Sequence, residues 1–175
     1  MKILVLSDSH RKKLDLNIND YDLIIHCGDY GESYDYLINN NISFVRGNCD
    51  LLGDKEKIIS FKSKRILITH GDLYNVKYNL LSITYKALSC ECNICFYGHT
   101  HIQNYFFSDS ILYLNPGSFQ NDEYVIINDN EILFYSNNKI IKSINYDWEW
   151  LNDFKWGARA WKEASFNSKN KFIFE

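Results

Sequence analysis

The chain has 175 residues, 46% of them apolar and 23% charged, with a formal net charge of −3. That is one domain's length with enough apolar material for a core, and nothing in its charge suggests a polybasic face for long nucleic acid or an anionic membrane. No apolar run is long enough to span a bilayer, and Ile3-Leu4-Val5-Leu6 is too short for a signal-peptide core before Asp8 and His10 interrupt it, so the reading is a soluble, cytoplasmic protein.

Short apolar runs recur, each ending in a polar cluster. Lys2 to Leu6 ends in Ser7-Asp8-Ser9-His10, and Asp22 to Ile25 in His26-Cys27-Gly28-Asp29. A helical stretch follows from Glu32 to Asn40. Ile42 to Val45 then ends in Arg46-Gly47-Asn48-Cys49-Asp50, and Arg65 to Ile68 in Thr69-His70-Gly71-Asp72. A second helical stretch runs from Val76 to Ser89, with Val76, Leu80, Ile83 and Ala87 on one side. Asn93 to Tyr97 ends in Gly98-His99-Thr100-His101, and Ile111 to Leu114 in Asn115-Pro116-Gly117-Ser118. Runs this short and this rich in Ile, Val and Leu read as strands buried on both faces. Alternation of strand and helix predicts a layered α/β sheet. From Tyr105 onward, Tyr105 to Phe107, Ile111 to Leu114, Tyr124 to Asn128, Ile132 to Tyr135 and Lys139 to Ile144 follow one another through short turns, and Asn128-Asp129-Asn130 and Ser136-Asn137-Asn138 suit hairpins. This half reads as antiparallel strands forming or completing a second sheet.

The chain divides into a domain over residues 1–146 and an extension over residues 147–175 packed on it. The extension holds all four tryptophans, Trp148, Trp150, Trp156 and Trp161. Trp150, Phe154 and Trp161 can share a helical face. That face either packs on the core or serves a partner or a second copy of the chain. Five cysteines with no framework spacing argue against a disulfide scaffold. Cys90, Cys92 and Cys95 read as small buried hydrophobes, with Cys92, Ile94 and Phe96 alternating along a strand, rather than as a zinc cluster lacking its fourth thiolate.

All five histidines, His10, His26, His70, His99 and His101, lie in the clusters that follow strands, together with Asp8, Asp29 and Asp50. In an α/β sheet such clusters converge beyond the carboxyl ends of the strands. Asp8, His10, Asp29, Asn48, His70, His99 and His101 offer more ligands than one ion takes. They suit two ions sharing a carboxylate, and imidazole with carboxylate and amide oxygen suits zinc, manganese or iron. Two such ions clamp the attacking and leaving oxygens of a displacement at phosphorus. Asp8 and Asp29 bring two negative charges against four from the ions, so with a bridging hydroxide about one positive charge remains for an anionic phosphate.

A single Asp-x-His or Gly-Asp is weak and Gly98-His99-Thr100-His101 is moderately specific, but the ordered set is far more so. Asp8-Ser9-His10, Gly28-Asp29, Gly47-Asn48-Cys49-Asp50, His70-Gly71 and Gly98-His99-Thr100-His101, followed by Asn115-Pro116-Gly117-Ser118, resembles the calcineurin-like metallophosphoesterase superfamily, and most of all its small bacterial phosphodiesterase branch. The resemblance runs from Met1 to Ile144. It implies a four-layer αββα sandwich of two facing mixed sheets flanked by helices. It implies that Asp8, His10 and His101 hold one metal, that Asn48, His70 and His99 hold the other, and that Asp29 bridges them. Manganese is the first expectation, with iron, nickel or zinc as alternatives. The implied activity is hydrolysis of phosphodiesters, or of phosphomonoesters, by a metal-bridging hydroxide. Many members carry a histidine after the ligand asparagine as the acid for the leaving group. Here Cys49 stands there, as it commonly does in the small bacterial branch. A thiol is a weaker acid for an alkoxide, so good leaving groups are expected to be favoured, with Asn48 and Cys49 as the catalytic candidates.

Around these residues, Asp50 is expected to orient the Asn48 loop, His26 to be a hydrogen-bonded structural residue, and Arg46 to reach a phosphate or form an ion pair. Asn115 to Ser118, with the chain's single proline, is expected to wall the site. Specificity falls to the rim loops Asp72 to Lys77 and Phe119 to Glu123 and to the extension. The expected substrate is a small phosphorylated molecule such as a nucleotide. The alternative function is a non-catalytic metal-binding scaffold or protein-interaction subunit of the same fold, like a retromer subunit of eukaryotes, although such scaffolds lose metal ligands.

Overall fold

Strands form where the apolar runs lie, and their registers decide where the polar clusters meet. The structure is a computed structural model that describes residues 1–152. In the first sheet β1 (Lys2–Leu6), β2 (Leu23–His26) and β3 (Ser43–Phe44) run parallel. Leu6 pairs with His26 and His26 with Phe44, so the three strands end level. Between β2 and β3 lies α1 (Tyr34–Asn39), whose N-cap Ser33 accepts the Tyr36 N–H at 3.2 Å.

The second sheet begins with β4 (Glu56–Phe61) and β5 (Lys64–Thr69), an antiparallel pair. β6 (Ile94–Phe96) and β8 (Ile111–Pro116) run parallel to β5, and β7 (Gln103–Ser108) closes the edge antiparallel to β8. Ile68, Phe96 and Leu114 share one register line, so these strands also end level. α2 (Leu81–Ser89) lies between β5 and β6.

Successive side chains on a strand face opposite sides, and the core divides accordingly. Ile3, Val5 and Ile25 of the first sheet meet Ile66, Ile68, Phe96, Leu112 and Leu114 of the second. On the outer faces, Leu37 of α1 packs on Leu4, Leu6 and Ile24. Ile83 and Ala87 of α2 pack on Leu67, Cys95, Tyr97 and Tyr113. The result is the expected sandwich of helix, sheet, sheet and helix, with about 1.5–3 kcal/mol of hydrophobic stabilisation for each fully buried Leu, Ile, Val or Phe.

Several elements depart from the sequence reading. β9 (Glu123–Asn128), β10 (Glu131–Ser136) and β11 (Lys139–Asn145) are antiparallel, but they extend the first sheet, β9 pairing with β1. Only β7 and β8 complete the second. β4 has no counterpart in the sequence reading, because Lys57, Ile58 and Ser60 break any clean alternation on this partly exposed edge strand. The second helix is shorter than expected. Asn75 is left-handed and the chain turns until Leu80, yet Val76 still packs with Ile83 and Ala87. Cys92 precedes β6 and faces α2 with Cys95, while Ile94 and Phe96 face the inner core.

Past β11, a 3-10 turn at Trp148–Asn152 puts Trp148 and Leu151 into the inner core. The Trp148 indole N–H donates to the Lys62 carbonyl at 3.4 Å. The expected face of Trp150, Phe154 and Trp161 falls outside the described side chains. No helix among the described residues is long and apolar enough to cross a membrane.

Candidate metal centre

Both sheets deliver their level carboxyl ends to the same rim. Backbone ties zip the loops together there: the Asp8 N–H donates to the Gly28 carbonyl at 3.0 Å, His10 to Asp29 at 2.8 Å and Gly98 to His70 at 2.9 Å. Asp8, His10, Asp29, His99 and His101 all have left-handed backbones, with φ of 52°, 48°, 52°, 68° and 58°. Each costs about 1 kcal/mol for a residue with a Cβ, and such strain collects at functional sites. Gly98 is required by close approach, since a Cβ there would lie 1.9 Å from Ser7 Oγ and 2.7 Å from Asp8 Oδ2.

Asp8 is fully buried. Its Oδ2 accepts from Ser7 Oγ at 2.6 Å and from the His99 N–H at 3.0 Å. Its Oδ1 is buried without a hydrogen bond. Around that oxygen stand His101 Nε2 at 3.0 Å, His70 Nε2 at 3.9 Å and His10 Nε2 at 4.0 Å. His101 is near enough to bond, but no N–H is aligned on the oxygen.

Asp29 is the second buried carboxylate. Its Oδ1 accepts the Cys49 N–H at 2.8 Å, while Oδ2 lies 3.4 Å from His70 Nε2 and 4.0 Å from His10 Nδ1. His70 Nδ1 lies 2.8 Å from the Cys27 carbonyl. A carbonyl only accepts, so that nitrogen carries the proton and Nε2 presents a lone pair in neutral His70. Asn48 Oδ1 at 3.2 Å and His99 Nδ1 at 3.1 Å approach the same Nε2. On the other flank His10 Nε2 and His101 Nε2 are 3.2 Å apart.

The structure therefore brings all seven sequence-selected residues together. Asp8, His10 and His101 lie on one side, Asn48, His70 and His99 on the other, and Asp29 within reach of both. Three trios, Asp8–His10–His101, Asp8–Asp29–His70 and His10–Asp29–Cys49, have donor atoms all within 4.8 Å of one another. An acceptor-rich cluster with an unpaired buried carboxylate oxygen fits a bound cation.

Proton affinities carry the same imprint. Burial alone would raise the Asp29 pKa, but His70, when it carries a second proton on Nε2, and the Cys49 N–H hold it well below the usual carboxylate range. Burial would lower His70, but the two carboxylates raise it. His99 is lowered by burial and by His70 beside it. Cys49, exposed at the rim, has its thiol raised by what burial it has and by Asp29, and its Sγ accepts from the Asn48 amide at 3.3 Å.

The supporting residues divide as follows. Asp50 accepts three backbone N–H groups, from Asp29 at 2.7 Å, Gly47 at 2.8 Å and Tyr30 at 3.2 Å, and so staples the Asp29 and Asn48 loops together. His26 is buried, with Nε2 2.8 Å from Ser9 Oγ and Nδ1 accepting the Gly28 N–H at 3.2 Å. Burial pushes its pKa down to about 3, so it is a neutral structural residue. Asn115 donates to the Gly98 carbonyl at 2.9 Å and to Thr100 Oγ1 at 3.0 Å, bracing the His99 turn from behind. Arg46 has a buried Nε without a hydrogen bond, and among the described residues no carboxylate pairs with it. Sequence reasoning missed the role of Ser7 and gave Ser118 only a place in the walling turn. Ser7 aims the Asp8 carboxylate, and Ser118 Oγ donates to the Asp8 carbonyl at 2.9 Å. Their signal was present, as serine directly beside Asp8 and at the end of the Asn-Pro-Gly-Ser turn.

A double-sheet rim of Asp, His and Asn defines a metal-dependent phosphoesterase fold. The sequence model of the calcineurin-like phosphoesterase superfamily domain matches residues 1–127, and the chain belongs to that family. It is 34% identical over 126 residues to a probable metallophosphoesterase, YsnB, of Bacillus subtilis, covering 67% of this chain and 75% of that protein. It is 27% identical over 146 residues to a phosphodiesterase of Methanocaldococcus jannaschii, covering 67% and 83%. Among solved structures it is similar to a predicted phosphoesterase of Streptococcus pneumoniae, with a TM-score of 0.72, 27% identity and coverage of 83% and 97%.

Proposed function

We propose that this protein hydrolyses phosphodiester bonds of small substrates, with phosphomonoesters as poorer substrates, using two divalent cations of which manganese is the first candidate. The observation that carries the reading is Asp8 Oδ1, buried, without a hydrogen bond and ringed by three imidazole nitrogens. Asp8, His10 and His101 would hold one ion, Asn48, His70 and His99 the other, and Asp29 both. The ions would supply Lewis-acid charge to the phosphoryl oxygens and lower the pKa of the attacking water.

The chain's own groups set the rest. Asp29, with its pKa held low, stays ionised at neutral pH and keeps its ligand charge. The Cys27 carbonyl fixes the His70 tautomer so that Nε2 faces the centre. Asn48 offers its amide oxygen on one side and its N–H to Cys49 on the other. Cys49, its pKa raised, remains a thiol and can give its Sγ proton to a leaving oxygen, although weakly. Turnover should therefore favour good leaving groups. The relative named as a phosphodiesterase supports the diester, and the ordinary composition supports a cytoplasmic setting.

Hydrolysis of bis-p-nitrophenyl phosphate and p-nitrophenyl phosphate tests this reading, with manganese, nickel, zinc or EDTA. Metal-dependent turnover that favours the diester is expected, falling at least about a hundredfold in Asp29→Ala and His99→Ala. No turnover with any metal, in folded protein that binds two ions, would instead indicate a binding scaffold.

A further inference from the structure

A groove of about 450 Å³ opens beside the centre, within the size range of small-ligand sites. His101 belongs to both, with its Nε2 3.0 Å from Asp8 Oδ1 while it also lines the groove. From there the groove runs past Ile102 and Tyr105 to Ile141 and Lys142 on β11. Ile102 and Ile141 are 67% and 59% exposed, apolar surface that the described residues leave uncovered.

Lys142 is the groove's cation. Lys12, Lys13 and Lys86 each pair with a carboxylate. Lys142 instead lies over aromatic rings, its Nζ 4.4 Å from the Tyr105 centroid and 5.8 Å from that of Phe134, with no ion pair among the described residues. Partial burial lowers its pKa, the response of an ammonium short of a counter-charge. The one acid among the groove's described lining residues, Glu123, is already engaged: its Oε2 accepts the Ser118 N–H at 3.1 Å and lies beside Gly117. An anion arriving at Lys142 would find a cation already held in place by the rings.

Building on the phosphodiesterase reading above, we propose that this groove binds one ester arm of the substrate, and that Lys142 selects arms with an apolar body ending in an anionic group. The phosphate sits at the metal centre, the body of the arm lies on Ile102 and Ile141, and its carboxylate or phosphate terminus pairs with Lys142.

The test uses two p-nitrophenyl phosphodiesters that differ only in the second arm, 4-carboxyphenyl or its methyl ester, with full-length manganese-loaded protein. The readout is the ratio of kcat/KM for the acid over the ester. The wild type should prefer the acid, by a ratio that falls as salt is added. Lys142→Met should lower the ratio about fivefold, the scale of a partly exposed ion pair. Lys142→Arg should retain it, and Lys142→Glu should favour the ester. A ratio unchanged in Lys142→Met, with bis-p-nitrophenyl phosphate still hydrolysed, would overturn the groove assignment alone. Failure to hydrolyse any of the three diesters would overturn the phosphodiesterase reading and the groove assignment with it.

Discussion

Replacing Asp8 by Asn should make the metal-free protein more stable while removing its function. Asp8 is fully buried, its Oδ1 lacks a hydrogen bond, and a second buried carboxylate, Asp29, shares His70 with it. An unsatisfied buried acceptor costs about 1–3 kcal/mol, and more when charged. Asparagine keeps an oxygen for Ser7 Oγ and the His99 N–H, turns an amide toward the imidazole lone pairs, and tolerates the left-handed φ of 52°. Metal-free Asp8→Asn should therefore gain about 1–3 kcal/mol, which for a chain of this size raises the melting midpoint by roughly 3–10 °C. With manganese the order should reverse. The wild type gains about 2.7 kcal/mol at a hundredfold excess over Kd, and the variant gains little. Thermal and urea unfolding in EDTA and in manganese, followed by circular dichroism, would show the crossing. A variant that is less stable than wild type in EDTA by more than about 1 kcal/mol would refute the claim that Oδ1 is a burden without its ion.

Asp50→Ala should cost about 2–4 kcal/mol in urea unfolding, because three backbone donors lose one charged acceptor. Asp50→Asn should recover about half of that, and both should weaken metal affinity in a calorimetric titration through the Asp29 and Asn48 loops. A second expectation concerns pH. His26 is held neutral, with its pKa lowered from 6.5 to about 3. The unfolded chain binds that proton first, so this contribution is complete above pH 6.5 and is lost as pH falls from 6.5 toward 3. The slope is up to about 1.4 kcal/mol per pH unit. Urea midpoints in EDTA between pH 7 and pH 4 should flatten in His26→Gln, and an equal slope in that variant would exclude the assignment.

The site was more legible than the frame around it. Asp8, His10, Asp29, Asn48, His70, His99 and His101 could be grouped because polar ligands that follow apolar runs stand out against them, and strand ends converge by topology. What stayed hidden depends on partners far away in sequence. β4 is a mixed run whose strand state comes from pairing with β5. The placement of β9 against β1, rather than in the second sheet, depends on which neighbour each edge finds, and the hairpin pattern is the same in either sheet. Val76 shows the related problem for helices. Its spacing to Ile83 and Ala87 is periodic, but the left-handed Asn75 and the turns after it bring it to the same cluster without a helix.

The pairing of β1 with β9 also sets an order of events during synthesis. Ile3 lies opposite Ile127, and the Met1 ammonium meets Asp129 at 2.8 Å. Every residue of the candidate centre has left the ribosome once His101 has, but the Asp8 carbonyl is held by Ser118 and Gln120, which come later. The nascent chain thus exposes its full set of imidazoles and carboxylates before the strand that fixes the first of them exists. Ions met at that stage find a loose chain whose choice follows intrinsic affinity, in which copper outranks manganese. Ions met after β9 docks find a shaped centre. Which metal such a centre would take then depends on when it is offered as well as on which residues would hold it.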